Sequence, residues 1–111
     1  MVTTVTPDVL AALIQATPGL DLVDVRDPEE WVTTGHIEGA RLVPLAALRA
    51  DPEQHLVRGK SVVFICASGV RSLQAAKLAE RFGYEPVYSL EGGTKAWIAS
   101  GRPMVRSSLA A

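Results

Sequence analysis

Apolar residues along this chain alternate between helical spacing and short continuous runs, with glycine or polar turns between them. Thr6, Pro7 and Asp8 are typical of a helix start, and apolar residues at helical spacing follow them. Val62–Ile65 is a continuous apolar run, which predicts a strand buried on both faces of a parallel sheet. Residues 71–82 carry apolar side chains at positions i, i+3, i+4 and i+7, which predicts an amphipathic helix.

The remaining segments continue this alternation. Asp27 and Glu30 are spaced as a variant of the capping box, so we expect a second helix that starts there and ends at Gly35. Alternating strands and helices with short connections imply right-handed βαβ units and a mostly parallel α/β sheet. We predict one domain over residues 1–111, with a core at about 6–103 and a frayed, flexible tail at 104–111. Weaker signals predict strands at 20–25, 41–43 and 86–90, and helices at 45–49 and 94–100.

The composition excludes several classes of function. The chain has 111 residues, of which 48% are apolar and 21% charged, and its formal charge is -1. This is the composition of a globular domain, and the near-neutral charge offers no basic face for nucleic acid or a membrane. A single cysteine excludes an internal disulfide, and one cysteine with two scattered histidines cannot supply a zinc site.

The charges are unevenly distributed along the chain. Residues 1–55 carry three basic and nine acidic side chains, whereas residues 56–111 carry eight basic and three acidic ones. We interpret this as two halves that neutralise each other, and the alternative is an anion-attracting face on the second half. The first basic residue is Arg26 and the apolar runs are far below spanning length, so we predict no targeting signal and expect a cytoplasmic location.

Cys66 carries the strongest chemical signal in the sequence. It follows the most apolar strand and precedes a predicted helix by one short loop, and ligands of open α/β sheets bind at this edge. A helix N-terminus presents unpaired N–H groups and a partial positive charge, so the pKa of a thiol there falls. The loop has no bulky polar side chain, so its amides can converge on one anion, and Arg71 adds to that effect. A lone cysteine is more often an inert buried residue, but this loop favours a nucleophile.

Four sequence blocks make the chain recognisable. They are LVDVRDPEEW at 22–31, GHIEGA at 35–40, CASGVRS at 66–72 and EGGTKAW at 91–97. In this order and at this spacing they resemble a single-domain rhodanese-like sulfurtransferase over nearly the whole chain. The resemblance implies a rhodanese-like fold, an α/β architecture with a five-stranded, mainly parallel sheet and helices on both faces.

The resemblance also implies a sulfur-transfer reaction. In this family the loop cysteine, here Cys66, takes a sulfane sulfur from thiosulfate or a persulfide, becomes a persulfide, and passes the sulfur to cyanide or a thiol. No metal and no organic cofactor is required. The implied partners are a small anionic sulfur donor and a thiol or protein acceptor, including a protein of a sulfur relay. The predicted substrate-binding cradle consists of Ala67, Ser68, Gly69, Val70 and Arg71.

Two other functions compete with this one. Cdc25-type phosphatases and related arsenate reductases are similar, but they have five residues between the loop cysteine and arginine, whereas Cys66 and Arg71 have four between them. Ile65 also stands where a tyrosine phosphatase usually has histidine. Many rhodanese-like domains are catalytically dead binding modules, usually because the cysteine is missing. The presence of Cys66 argues against that class but leaves a regulatory, partner-presenting role open.

Other polar residues are predicted to support the site. Asp24 and Arg26 lie at another strand end, and we favour a salt bridge that orients the loop over a contact with substrate. Ser72 is predicted to support the same loop. Arg71 either contacts an anionic substrate or braces the loop, and Ala67 puts no charge beside the cysteine, which makes a protein or small-molecule persulfide an alternative donor to thiosulfate. Structural roles are predicted for His36, Trp31, Trp97, Gly92 and Gly93, and a solvated loop position for His55.

Overall fold

One sheet organises the molecule. The computed structural model describes residues 1–106, in which the strands are β1 (Val2–Val5), β2 (Asp21–Asp24), β3 (Arg41–Leu42), β4 (Val62–Ile65) and β5 (Val87–Leu90). The helices are α1 (Pro7–Ala16), α2 (Pro28–Thr34), α3 (Leu45–Ala50), α4 (Pro52–His55), α5 (Val70–Arg81) and α6 (Gly93–Ala99). The strand order is β1-β5-β4-β2-β3 and every pairing between these strands is parallel. The five-stranded, mainly parallel sheet with an α/β architecture, which the resemblance implies, is therefore confirmed.

Helices cover both faces of the sheet, because successive residues of a strand point to opposite sides. Phe64 of β4 belongs to a core that also contains Leu48 of α3, Leu56 just after α4, and residues of α5. Its neighbour Val63 belongs to a second core, which contains Leu10 of α1 and Trp97 of α6. Both faces of β4 are fully buried, which explains why the strand is an uninterrupted apolar run.

Local capping signals act where the sequence predicts them. The Thr6 hydroxyl accepts a hydrogen bond from the Val9 amide at 3.2 Å and begins α1. Asp27 and Glu30 form the reciprocal hydrogen bonds of a capping box at the start of α2. Gly83 follows α5 with a φ of +84°, a conformation that L side chains rarely adopt.

The sequence predicts a frayed tail from residue 104, but the structure differs from this prediction. Val105 forms an antiparallel bridge with His36, with hydrogen bonds of 2.7 and 2.8 Å in both directions. The bridge needs glycine at position 35, because a Cβ there would lie 2.6 Å from the Val105 carbonyl oxygen. The prediction is therefore wrong for residues 104–106, and residues 107–111 lie outside the described part of the chain.

Two elements lack a prediction. The edge strand β1 pairs with β5 from Val2 to Val5, and the one-turn helix α4 follows α3 directly. Both are short, and β1 exists through its pairing with a strand more than eighty positions away in the register Val2 to Val87. None of the helices in residues 1–106 is long and apolar enough to cross a membrane.

Candidate active site

The carboxyl end of β4 places Cys66 at the centre of the sheet edge where α/β proteins bind ligands. A short loop separates this residue from α5, which begins at Val70. Gly69 lies in this loop with a φ of +101°, and a Cβ there would approach the Gly92 nitrogen to 3.1 Å. The loop can therefore turn back on Cys66 only with glycine at position 69.

Three hydrogen-bonding groups converge on the Cys66 sulfur. The backbone amides of Gly69 and Ser72 donate to Sγ at 3.1 and 3.2 Å, and the Ser72 hydroxyl lies 3.5 Å from it. The two amides belong to the loop and the first turn of α5, so they are among the donors that a helix start leaves unpaired. The structure thus brings together the sulfur, Gly69 and Ser72, all of which are among the predicted site residues.

Burial and hydrogen bonding act in opposite directions on the Cys66 thiol. Burial raises its pKa, because a thiolate is poorly solvated in the protein interior. Hydrogen bonds from the Ser72 hydroxyl and from the amides of Ser72, Gly69 and Ser68 lower the pKa, and their sum prevails. The pKa of Cys66 therefore lies below its ordinary value, which favours the nucleophilic form.

The sulfur is nevertheless shielded from solvent, since Cys66 is 0% exposed. A groove of about 510 Å³ runs beside the loop and is lined by Ser68, Gly69 and Val70, but Cys66 does not contribute to its wall. A second cavity of about 300 Å³, between α1 and α6, includes no residue of the loop. A reagent can therefore reach the sulfur only after the atoms that cover it have moved.

The start of α6 is hydrogen-bonded to the backbone of Cys66 and of the loop that follows it. The amides of Thr94 and Lys95 donate to the carbonyl oxygens of Cys66 and Ala67 at 2.8 and 3.1 Å. Gly93 has a φ of +61°, and a Cβ at this position would lie 2.3 Å from the Cys66 oxygen. The predicted role of Gly93 in backbone geometry is confirmed. Because it has no Cβ, the start of α6 can pack directly against the backbone of Cys66 and Ala67.

Arg71 is paired with a residue of another helix. Its guanidinium donates to both carboxylate oxygens of Glu30 at 2.7 and 2.9 Å, which joins the start of α5 to α2. This hydrogen bonding holds the pKa of Glu30 at about 2 and raises the pKa of Arg71. Of the two roles open to Arg71, the geometry supports bracing. Glu30 is recognised in the sequence only as a capping residue, and nothing there indicates its pairing across helices.

Known proteins are similar to this chain over most of its length. The family model of the rhodanese-like domain matches residues 6–100. The chain belongs to the rhodanese-like domain family. A relative from Allochromatium vinosum, named a sulfurtransferase, is 32% identical over 105 residues that cover 95% of this chain and 96% of the relative.

Other members of the family differ in length and description. The probable adenylyltransferase/sulfurtransferase MoeZ of Mycobacterium tuberculosis is 34% identical over 101 residues, 90% of this chain, but the match spans only 26% of MoeZ. A rhodanese-related structure from Thermoplasma volcanium superposes with a TM-score of 0.84 at 30% identity, covering 95% of this chain and 99% of that one. A Rhodopseudomonas palustris structure described as a possible tyrosine phosphatase has a TM-score of 0.82 at 34% identity, covering 94% and 85%.

In this rhodanese-like domain, Asp24 and Arg26 form a buried pair that lies next to α2. The guanidinium of Arg26 donates to both Asp24 oxygens at 2.7 to 3.0 Å. It also donates to the Thr34 hydroxyl and to the Gly35 carbonyl oxygen, both at 2.8 Å. These contacts join the end of β2 to the end of α2, and none of them involves residues 67–71.

The aromatic residues and histidines occupy structural positions. The rings of Trp31 and His36 stack with centroids 3.8 Å apart, and His36 Nδ1 is hydrogen-bonded to the Ile37 carbonyl oxygen at 2.9 Å. Trp97 is buried in the second core. His55 is the last residue of the helix α4, so the predicted loop position is wrong, and the residue is half-buried.

Ser89 joins the site without having been predicted. Its hydroxyl lies 2.8 Å from the Ser72 hydroxyl, and it is 2% exposed in β5, the strand beside β4. The available signal is a serine in an otherwise apolar strand, since buried polar side chains are nearly always hydrogen-bonded. That signal does not identify Ser72 as the partner, because the two residues are brought together by the sheet.

Proposed function

We propose that this rhodanese-like domain is a sulfurtransferase that carries sulfane sulfur as a persulfide on Cys66. The observation that carries the proposal is the convergence of the Gly69 and Ser72 amides and the Ser72 hydroxyl on Sγ. Preorganised donors of this kind stabilise negative charge without reorganising during the reaction. The same donors serve the thiolate before transfer and the persulfide after it.

Two displacements complete the proposed cycle. The Cys66 thiolate attacks the outer sulfur of the donor, a new S–S bond forms, and the donor's own S–S bond breaks as sulfite or a thiolate leaves with the electron pair. The acceptor, cyanide or a thiolate, then attacks the outer sulfur of the persulfide and releases the Cys66 thiolate. Because Cys66 is fully buried, both steps require the atoms that cover its sulfur to move aside.

The charges beside the loop favour a persulfide over thiosulfate as the natural donor. Ala67 contributes no charge, and Arg71 is already neutralised by both oxygens of Glu30. A dianion such as thiosulfate therefore meets no unpaired loop cation, whereas a persulfide needs none. MoeZ contains a similar domain as part of a longer chain that is named for a second activity, which supports a protein as acceptor in a sulfur relay.

Phosphatase activity is the second candidate, because the Rhodopseudomonas palustris structure is described as a possible tyrosine phosphatase. Two features of this chain oppose it. Only four residues separate Cys66 from Arg71, so the loop is narrow for a tetrahedral oxyanion. The guanidinium that would bind the phosphoryl oxygens is paired with Glu30 instead.

The first experiment replaces the sulfur. In Cys66→Ser we expect thiosulfate:cyanide sulfur transfer to fall to the rate without enzyme, because a hydroxyl at this position is neither ionised nor able to form a persulfide. Circular dichroism and thermal melting should match the parent protein. Intact mass after treatment with thiosulfate or a small persulfide should increase by one sulfur atom in the parent only, and a thiol should remove it.

The same samples separate the three functions. Transfer that persists in Cys66→Ser contradicts the proposal outright. Hydrolysis of an aryl phosphate by the parent, without sulfur uptake, identifies a phosphatase. A parent that shows neither activity nor sulfur uptake from either donor identifies a binding module, and capture of protein partners then becomes the informative measurement.

A further inference from the structure

Two buried hydroxyls form a series of hydrogen bonds that ends at the sulfur of Cys66. The Ser72 hydroxyl lies between Cys66 Sγ, at 3.5 Å, and the Ser89 hydroxyl, at 2.8 Å. Ser72 and Ser89 are 0% and 2% exposed. Within residues 1–106, Ser72 is the one hydrogen-bond partner found for the Ser89 hydroxyl. The three groups therefore form a short line from β5 through α5 to the loop.

The number of available protons decides which group donates and which accepts in each of these hydrogen bonds. A serine hydroxyl has one proton to donate and two lone pairs with which to accept. When Cys66 is a thiolate, the Ser72 proton points at the sulfur, so Ser72 must accept from Ser89. When Cys66 is a thiol, its own proton can point at Ser72, and the two serine protons turn away from the sulfur. Only when Cys66 is a thiolate does every proton on these three groups meet an acceptor among them.

We propose that Ser89 is a positioning residue for Cys66: its hydroxyl donates to Ser72 and thereby directs the Ser72 hydroxyl at the sulfur. The inference rests on the proposed role of Cys66 as the nucleophile and extends the site to a third element, β5. No atom is transferred in this step, since the hydroxyls only rotate. Linked hydrogen bonds polarise one another, so the donor that faces the sulfur is stronger with Ser89 behind it.

If Ser89 had only a structural role, its hydroxyl would hydrogen-bond to Ser72, and removing it would leave the ionisation of Cys66 unchanged. Because the chain has a single cysteine, the ultraviolet absorbance of the thiolate reports this ionisation directly, with Cys66→Ser as the blank. The measurement needs no sulfur donor and no access of a reagent to the buried sulfur. Its outcome is therefore independent of whether the protein proves to be a sulfurtransferase.

In Ser89→Ala we expect the ionisation of Cys66 to move to higher pH, with about a two- to fourfold lower thiolate fraction below the midpoint. Ser72→Ala should move it at least as far, and the double variant should equal Ser72→Ala, since Ser89 acts through Ser72. Ser89→Thr keeps the hydroxyl on a β-branched residue suited to a strand and should restore the parent curve. Ser61→Ala, just before β4 at the opposite end from Cys66, is the matched control and should change nothing.

Three results would overturn the inference. The first is a parent-like titration in a folded Ser89→Ala variant. The second is a double variant whose shift is the sum of the two single shifts, because independent effects exclude action through Ser72. The third is a folded Ser89→Thr variant that titrates like Ser89→Ala, and this comparison holds even if alanine at position 89 prevents folding.

Discussion

Two neighbouring strands, β2 and β4, end at the same edge of the sheet in polar groups of opposite character. After β2, the carboxylate of Asp24 and the guanidinium of Arg26 satisfy each other, and the remaining Arg26 donors reach Thr34 and Gly35. After β4, backbone amides converge on a single sulfur atom, and the nearby cation of Arg71 is held by Glu30.

The difference between these two groups separates structure from chemistry. In the pair after β2 the two charges neutralise each other, so neither is available to a ligand, and the side chains are 0 to 2% exposed. The loop after β4 gathers donors around an atom whose charge changes with protonation and with each proposed transfer step. A closed pair of buried charges is costly to break but has no donor left for a ligand, whereas donors gathered on one ionisable atom prepare a reaction.

The first test of this contrast removes the cation after β2. Arg26→Ala leaves the buried Asp24 carboxylate without its partner, and we expect the free energy of unfolding to fall by about 3–5 kcal/mol. Urea denaturation followed by circular dichroism measures this change. The Cys66 ionisation curve of the folded variant should match that of the parent, because Arg26 makes no contact with the loop residues 67–71.

The double variant Asp24→Asn with Arg26→Met is the control for the buried charge. It removes both charges, so it should be more stable than Arg26→Ala alone. A different result would assign Arg26 to the reaction: parent-like stability together with a large loss of sulfur transfer means that Arg26 contacts the donor, the alternative that the sequence leaves open.

The fold is predictable from the sequence where local chemistry decides it. Thr6 and Asp27 cap their helices through contacts within three residues, and the apolar run at Val62–Ile65 reports a strand buried on both sides. The strand β1 and the bridge between His36 and Val105 depend on partners far along the chain. A short polar strand such as β1 has no signal of its own, since its stability comes from pairing.

The same division applies to the candidate site. Cys66 and the loop amides are predictable, because a strand, a small loop and a helix follow one another in the sequence. Glu30 and Ser89 are not, because they reach the site from α2 and β5 through tertiary packing. The complete burial of Cys66 is equally invisible in the sequence, since it depends on tertiary packing with residues of several elements.

The second test weakens the group after β4 without removing the sulfur. Ser72→Ala deletes the hydroxyl beside Cys66 but keeps the amide, so the pKa of Cys66 should rise. A hydrogen bond to a charged group contributes about 1.5–3 kcal/mol, so we expect about a tenfold loss of sulfur transfer at neutral pH. Because the thiolate is the reactive form, this loss should shrink as the pH rises above the new pKa. The pH profile of kcat/KM measures both effects.

Stability provides the contrast with Arg26. Ser72→Ala leaves the Ser89 hydroxyl unpaired, which costs about 1–3 kcal/mol, less than the loss expected for Arg26→Ala. Ser61→Ala should leave the profile unchanged. A uniform loss of activity at every pH would show that Ser72 only shapes the loop, and the assignment of the hydroxyl to charge stabilisation would then be wrong.

The smallest effect concerns the ion pair between the loop and α2. Glu30→Gln keeps the side-chain oxygen that accepts from the Asp27 amide, but it removes the charge that faces Arg71. Glu30 and Arg71 are each about one-third exposed, so we expect the free energy of unfolding to fall by no more than about 1 kcal/mol at neutral pH. The folded-state pKa of Glu30 is about 2 against an ordinary 4.5, so the pair stabilises the fold above pH 4.5 and loses this contribution as the pH falls toward 2. The difference in stability between the parent and the variant should shrink over the same interval.

The variant also tests why thiosulfate should be a poor donor. Freed from its carboxylate, Arg71 can face an incoming anion, so the KM for the thiosulfate dianion should fall by about threefold, while the KM for a persulfide, which carries less charge, should change less. Glu53→Gln is the matched control, because Glu53 also pairs with an arginine, Arg58, but both are exposed. A rise in KM for both donors would show that the pair must stay intact for the loop to accept any sulfur donor. In that case Arg71 braces the loop during the reaction as well as before it.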